Sequence, residues 1–219
     1  MLTDQRFDNE GNKAPKPIDG KSKDLLTFIA NCSTKDLNHW ERWLDKYSES
    51  YKTIQPVNRT FFNDSNRAQY WGLFTDILKE KNALIFVDPD TGLETGSQSY
   101  LRRMGREKYM LNTETAILYK MLDETSYLMI YQHLPNNKHI HKASVDKKIK
   151  QASKGTGSNL VCAYREDDLA FLFLAKRPKE FISIVNLIKE YFETTNHDLK
   201  SIHISPNQAV HLTPSTSAP

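Results

Sequence analysis

From Asp24 onward the chain alternates short apolar runs with helical patterns, and several of the runs are apolar at nearly every position. "ALIFV" at 83–87, "SYLMIYQHL" at 126–134 and "AFLFLA" at 170–175 show this most clearly. A strand with one face in water alternates apolar and polar residues, whereas a strand covered on both faces has no polar side to present. The pattern predicts an α/β fold, a single three-layer domain with a mainly parallel sheet between helices and a C-terminal hairpin.

The elements can be placed along the chain from periodicity and caps. Strands are expected at "DLLTFIAN", "YKTIQPV", "ALIFV", "SYLMIYQHL" and "LKSIHIS", with a hairpin in "YREDDLAFLFLA". Helices are expected at "STKDLNHWERWLDKYS", at 65–80, at "NTETAILYKMLDE", in the lysine-rich stretch 138–153 and at "KEFISIVNLIKEYFE". In the 65–80 helix, Tyr70, Leu73, Phe74, Ile77 and Leu78 share one stripe, read as core, as are Trp40, Trp43 and Trp71. Residues 1–23 are polar and proline-containing and read as a flexible arm, 24–205 as the α/β domain and 206–219 as a flexible tail.

With 219 residues and 38% hydrophobic content, the chain can bury one sizeable core. Cys32 and Cys162 are far apart and form no metal-type pair, and no membrane-length apolar run is present. These features lead to the expectation of a cytoplasmic protein without a membrane partner. A net charge of +3 is too mild to indicate a partner by itself.

"ALIFV" runs directly into Asp88-Pro-Asp90, then Thr-Gly-Leu and Glu94. In an open α/β sheet, ligands bind beyond the carboxyl ends of the strands, where loops diverge. Pro89 ends the strand and Gly92 permits a sharp turn, so Asp88, Asp90 and Glu94 are expected to point into shared space. Carboxylates held together need a cation or a proton, and a hard divalent ion, Mg²⁺ or Mn²⁺, suits oxygen ligands. The competing reading is ordinary turn chemistry, with Asp side chains capping backbone amides.

A strand ending in Asp-Pro-Asp, followed by a helix, another apolar strand, a terminal helix and a hairpin, resembles the second half of the Rossmann-like methyltransferase fold. In the amino-methylating members that act on nucleic acid, an Asp/Asn-Pro-Pro-Tyr loop holds the target amine beside the methyl donor. Asp88 and Pro89 match that loop, while Asp90 and Thr91 stand where a proline and an aromatic are usual. The resemblance implies a Rossmann-like domain and S-adenosylmethionine as cofactor. The first turn, "FIANCSTKD", has no glycine where such enzymes approach the donor.

Two further groups gather near the same strand ends. His133 closes "YLMIYQH" and is a candidate general base, metal ligand or phosphate contact, against the simpler role, for Gln132 and His133 together, of satisfying loop backbone groups. Arg102, Arg103, Arg106 and Lys108 follow the acidic loop, and Lys142, Lys147, Lys148 and Lys150 follow the His133 strand. Such runs suit a polynucleotide backbone, although a solvated helix face is the common alternative. Arg67, at the start of its helix, is a candidate contact to a phosphate or to the acidic loop.

Three functions are therefore open. The one favoured on the sequence is a metal-dependent nuclease or phosphodiesterase: Asp88, Asp90 and Glu94 hold the ion, and Lys108 or His133 assists the reaction. A divergent nucleic-acid methyltransferase and a non-catalytic nucleic-acid or protein-binding domain are the alternatives.

Overall fold

A computed structural model describes residues 62–194 and 200–205. The expected arm and tail, the strands "DLLTFIAN" and "YKTIQPV" and the helix between them lie outside these residues. Within them, the strands are Leu84–Val87 (β1), Gly92–Leu93 (β2), Tyr109–Met110 (β3), Tyr127–His133 (β4), Val161–Glu166 (β5), Leu169–Ala175 (β6) and Lys200–Ile204 (β7). The helices are Arg67–Gly72 (α1), Gln98–Met104 (α2), Asn112–Met121 (α3), His141–Thr156 (α4) and Pro178–Thr194 (α5).

The helix expected over 65–80 is shorter than its apolar stripe suggested. After α1 the chain passes through turns to a 3₁₀ segment at Ile77–Lys79. The Thr75 hydroxyl donates to the Gly72 carbonyl, a local bond that competes with helical pairing. Tyr70 and Leu78 still reach the core, whereas Leu73 is 37% exposed.

The main sheet has the order β1-β4-β6-β5-β7. It is mixed, which corrects the expectation of a mainly parallel sheet: β1 and β4 are parallel, and the other three pairs are antiparallel. The cause is the tight β5–β6 turn, with Asp167 at φ 53, which can join only antiparallel neighbours. β6 then inserts beside β4, and β7 returns beside β5. The unbroken apolar run of β6 reflects its central place between two helical layers and not parallel pairing.

Those layers come from two clusters. On one face, Leu128, Ile130, Ala163 and Leu172 pack with Leu118 and Leu122 of the α3 segment and with Val145, Ile149 and Ala152 of α4. On the other, Cys162, Tyr164 and Phe173 meet Phe181, Ile184, Val185 and Ile188 of α5. Burial of each large apolar side chain contributes roughly 1.5–3 kcal/mol. Burial also pushes the Cys162 thiol up to about 12, so it behaves as a small apolar residue.

β1 is less evenly covered than β6. Among the described strands it lies at the sheet edge, with Val87 buried but Leu84 52% and Phe86 49% exposed. Alternate residues of β1 thus face different environments, with Val87 toward the core.

Direction brings the polar groups together. β1, β4 and β5 run the same way and β7 runs against β5, with Glu166 opposite Lys200. The carboxyl ends of β1, β4 and β5 and the start of β7 thus lie along one edge of the sheet.

Candidate functional site

The loop Asp88–Glu94 leaves β1 at that edge and is held from several directions. Gly92 and Leu93 pair in parallel with Tyr109 and Met110, flanked by bonds from the Thr91 amide to the Lys108 carbonyl and from the Glu94 amide to the Met110 carbonyl. The buried Gln132 amide supplies the clamp. Its Oε1 accepts from the Leu93 amide at 3.0 Å, and its Nε2 donates to the carbonyls of Thr91 at 3.1 Å and His133 at 2.7 Å. Glycine is required at position 92 twice over: φ is +114, and a Cβ there would lie 2.5 Å from the Gln132 side chain.

α4 holds the loop from the other side. Lys148 Nζ donates to the Leu93 carbonyl at 2.6 Å and the Glu94 carbonyl at 2.8 Å, and Gln151 Nε2 also donates to Glu94 O at 2.9 Å. Burial and the neighbouring Lys147 charge bring the Lys148 ammonium down to about 8, although Glu94 opposes the shift.

Of the three carboxylates, Glu94 is committed to the scaffold, where its Oε1 accepts the Asn112 amide at 2.8 Å. That amide opens α3, where backbone donors lack helical partners and negative charge is favoured. Asp88 and Asp90 stand at the exposed rim of the loop. Protein packed around the Asp88 carboxyl and the charge of Asp90 raise the Asp88 pKa above its usual value. Among the described residues no three His, Cys, Asp or Glu side chains gather as a metal-binding group. Glu94 Oε1 is thus held at the helix start, while Asp88 and Asp90 stand at the loop rim.

His133 is exposed at the end of β4, its ring meeting Tyr131 edge-on at 5.9 Å. Lys108 supports the loop through its carbonyl, and its side chain is half-buried.

The expected nucleic-acid contacts divide into two groups. Arg67 belongs to the fold: its side chain is 10% exposed and pairs with both oxygens of buried Glu114 at 2.8 Å, with the carbonyls of Arg106 and Tyr109, and with Asp64. Glu114 Oε2 in turn accepts the Leu111 amide at 2.7 Å. Asp64 also pairs with Arg106, and its carboxyl lies below the usual range: slight burial opposes the shift, but both arginines outweigh it. Lys148 is likewise committed to the loop carbonyls. Arg102 and Arg103 are exposed in the last turn of α2, with Arg103 over the Tyr100 ring at 5.3 Å. Lys142, Lys147 and Lys150 are exposed on α4, and Lys142 pairs with Asp146 at 2.9 Å.

Sequence reasoning missed a polar cluster farther along the same edge, where Ser201, His203, Asp146 and Arg165 are joined by side-chain hydrogen bonds. The signal was Ser-Ile-His in a strand, which puts serine and histidine on one face, but their partners come from α4 and β5. No family model matches this chain, and no curated protein or solved structure is detectably similar to it.

Proposed function

We propose that the chain is a nucleic-acid-acting enzyme of the Rossmann-like methyltransferase type, with Asp88 as the polar group that receives the substrate. The observation favouring methyl transfer over metal-dependent phosphodiester cleavage is the use of Glu94 at the start of α3, which leaves two carboxylates at the loop rim. A rigid loop presenting Asp88 at a strand end suits a hydrogen bond to an exocyclic amine, since a carboxylate accepts N–H donors. Support also comes from the order of elements: a strand ending in Asp-Pro-Asp, helices, a parallel strand, a further helix and a hairpin, the strand, the parallel strand and the hairpin sharing one sheet.

S-adenosylmethionine would supply the methyl group when bound. The turn Phe28–Asp36, from which the resemblance implies donor contacts, lies outside the described residues. Exposed Arg102, Arg103, Lys147 and Lys150 are among the cations that the described residues offer to a polynucleotide backbone. The test is transfer of labelled methyl from S-adenosylmethionine to DNA or RNA. Transfer is expected in the parent and lost in Asp88→Ala, with donor binding by calorimetry retained. Donor-independent cleavage of the polynucleotide that requires Mg²⁺ or Mn²⁺ would overturn this reading in favour of the nuclease.

A further inference from the structure

Ser201, at the start of β7, is partly exposed, while the His203 side chain is only 5% exposed. Two residues apart on a strand, both side chains stand on the face that α4 covers. Ser201 Oγ lies 2.8 Å from His203 Nε2, and His203 Nδ1 lies 2.8 Å from Asp146 Oδ1 of α4. From β5, Arg165 Nε donates to Ser201 Oγ at 2.9 Å.

Hydrogen-bond valence orders this chain of contacts. The Asp146 carboxyl lies below its usual range: partial burial opposes the shift, but bonds from His203 and Lys142 and their charges outweigh it. An ionised carboxylate only accepts, so His203 donates from Nδ1, and in the neutral ring Nε2 then carries only a lone pair. Arg165 can only donate, which occupies a lone pair on Ser201 Oγ and leaves the hydroxyl proton for His203 Nε2. His141 anchors the arginine: its Nε2 bonds the Pro135 carbonyl at 2.6 Å, and its Nδ1 lies 3.5 Å from Arg165 Nη1.

We propose that Ser201, His203 and Asp146 form a nucleophilic site separate from the Asp88 loop, taking activated carboxylic esters. Such a constellation is defined by geometry and roles and not by order in the chain. Ser201 Oγ bonds to the acyl carbon while its proton passes to His203 Nε2. The acyl carbon–oxygen bond then breaks, and the proton leaves with the alcohol. Water next attacks the acyl-serine, giving its proton to His203 Nε2; the acid departs and Ser201 Oγ recovers the proton. Arg165 is the cation beside the developing oxyanion, and Asp146 is a positioning residue that holds the imidazole.

The full chain treated with a fluorophosphonate probe tests this directly, because the probe loses fluoride as a serine oxygen bonds to phosphorus. An adduct mapped to Ser201 is expected, together with turnover of 4-nitrophenyl acetate that Ser201→Ala abolishes. His203→Gln should slow labelling by roughly a hundredfold or more, the scale of a general base. Asp146→Asn should slow it and Asp146→Glu should restore part of the rate, because the carboxylate holds the Nδ1 proton and the orientation of the imidazole. A folded chain with no adduct at Ser201, or a labelling rate unchanged by His203→Gln, would overturn the site. If His203→Gln does not fold, Ser201→Cys carries the test. Beside His203 the introduced thiol should alkylate with iodoacetamide well below the ordinary thiol pKa of about 8.5, and ordinary thiol reactivity would overturn the proposal.

Discussion

The acidic loop after β1 and the cluster around His203 share one edge of the sheet but use their polar groups differently. In the loop, Gln132, Lys148, Gln151 and Glu94 direct their side chains to backbone, fixing carbonyls and amides of residues 91–94 and 112. Around His203, side chains bond side chains, and one hydroxyl is polarised from two directions. The first arrangement makes a stiff platform with Asp88 at its rim, and the second a connected proton path. A conspicuous motif can thus be mainly scaffold, while a quiet Ser-Ile-His holds connected chemistry.

The largest way to break that contrast is at the platform's tightest point. Gly92→Ala forces a side chain onto φ +114 and into the Gln132 amide. It should cost about 3 kcal/mol or more, as strain and overpacking combine, measured by chemical denaturation. Adding Gln132→Ala removes the steric conflict, so the double variant should lose less than the sum of the singles.

Arg67 comes next, because it distinguishes a buried tie from a nucleic-acid contact. Arg67→Met strands the Glu114 carboxylate and should cost about 3–5 kcal/mol, whereas Arg67→Met with Glu114→Leu should recover much of that loss. Polynucleotide affinity unchanged in the folded double variant would agree with the buried role, and a loss would restore Arg67 to the binding surface.

Lys148 is expected to have a smaller effect that depends on pH. Its folded pKa of about 8 lies below the ordinary 10.5, so the buried charge costs stability below about 8 and the cost is relieved as pH rises toward 10.5. Parent stability relative to Lys148→Met should therefore rise across that window, by an amount on the order of 2 kcal/mol. A flat difference would mean the ammonium is not desolvated. The smallest change in stability is expected for exposed Lys147 and Lys150: their joint replacement by Gln should stay within about 0.5 kcal/mol while lowering the salt slope of polynucleotide binding.

The elements that could be read from the chain were those whose signals are local. β4, α3, α5 and the β5–β6 hairpin follow from apolar periodicity and a tight turn, and each is present. Sheet direction was not local: the run of β6 looks the same whether its neighbours are parallel or antiparallel, and β1 looked fully buried because its face toward Phe171 is also apolar. Within the site, Asp88 and Gly92 stood out through strand-end position and turn chemistry. That Gln132 serves loop backbone was readable from its place at a strand end, whereas the roles of Glu94 and Arg67 depend on partners far along the chain, and so does the pairing of Asp146 with His203.

The most direct measurement of Asp88 as a functional carboxylate on a rigid platform is the stability of Asp88→Asn across pH. Protein atoms packed around its carboxyl and the charge of Asp90 raise its folded pKa although the residue stands at the rim, so the ionised form costs stability, and that cost grows as pH rises from the ordinary value near 3.8 through the raised one. Urea denaturation should find Asp88→Asn at least as stable as the parent at pH 7, with the advantage shrinking toward pH 4. A variant less stable than the parent at pH 7 would contradict this, leaving Asp88 as a residue that builds the turn.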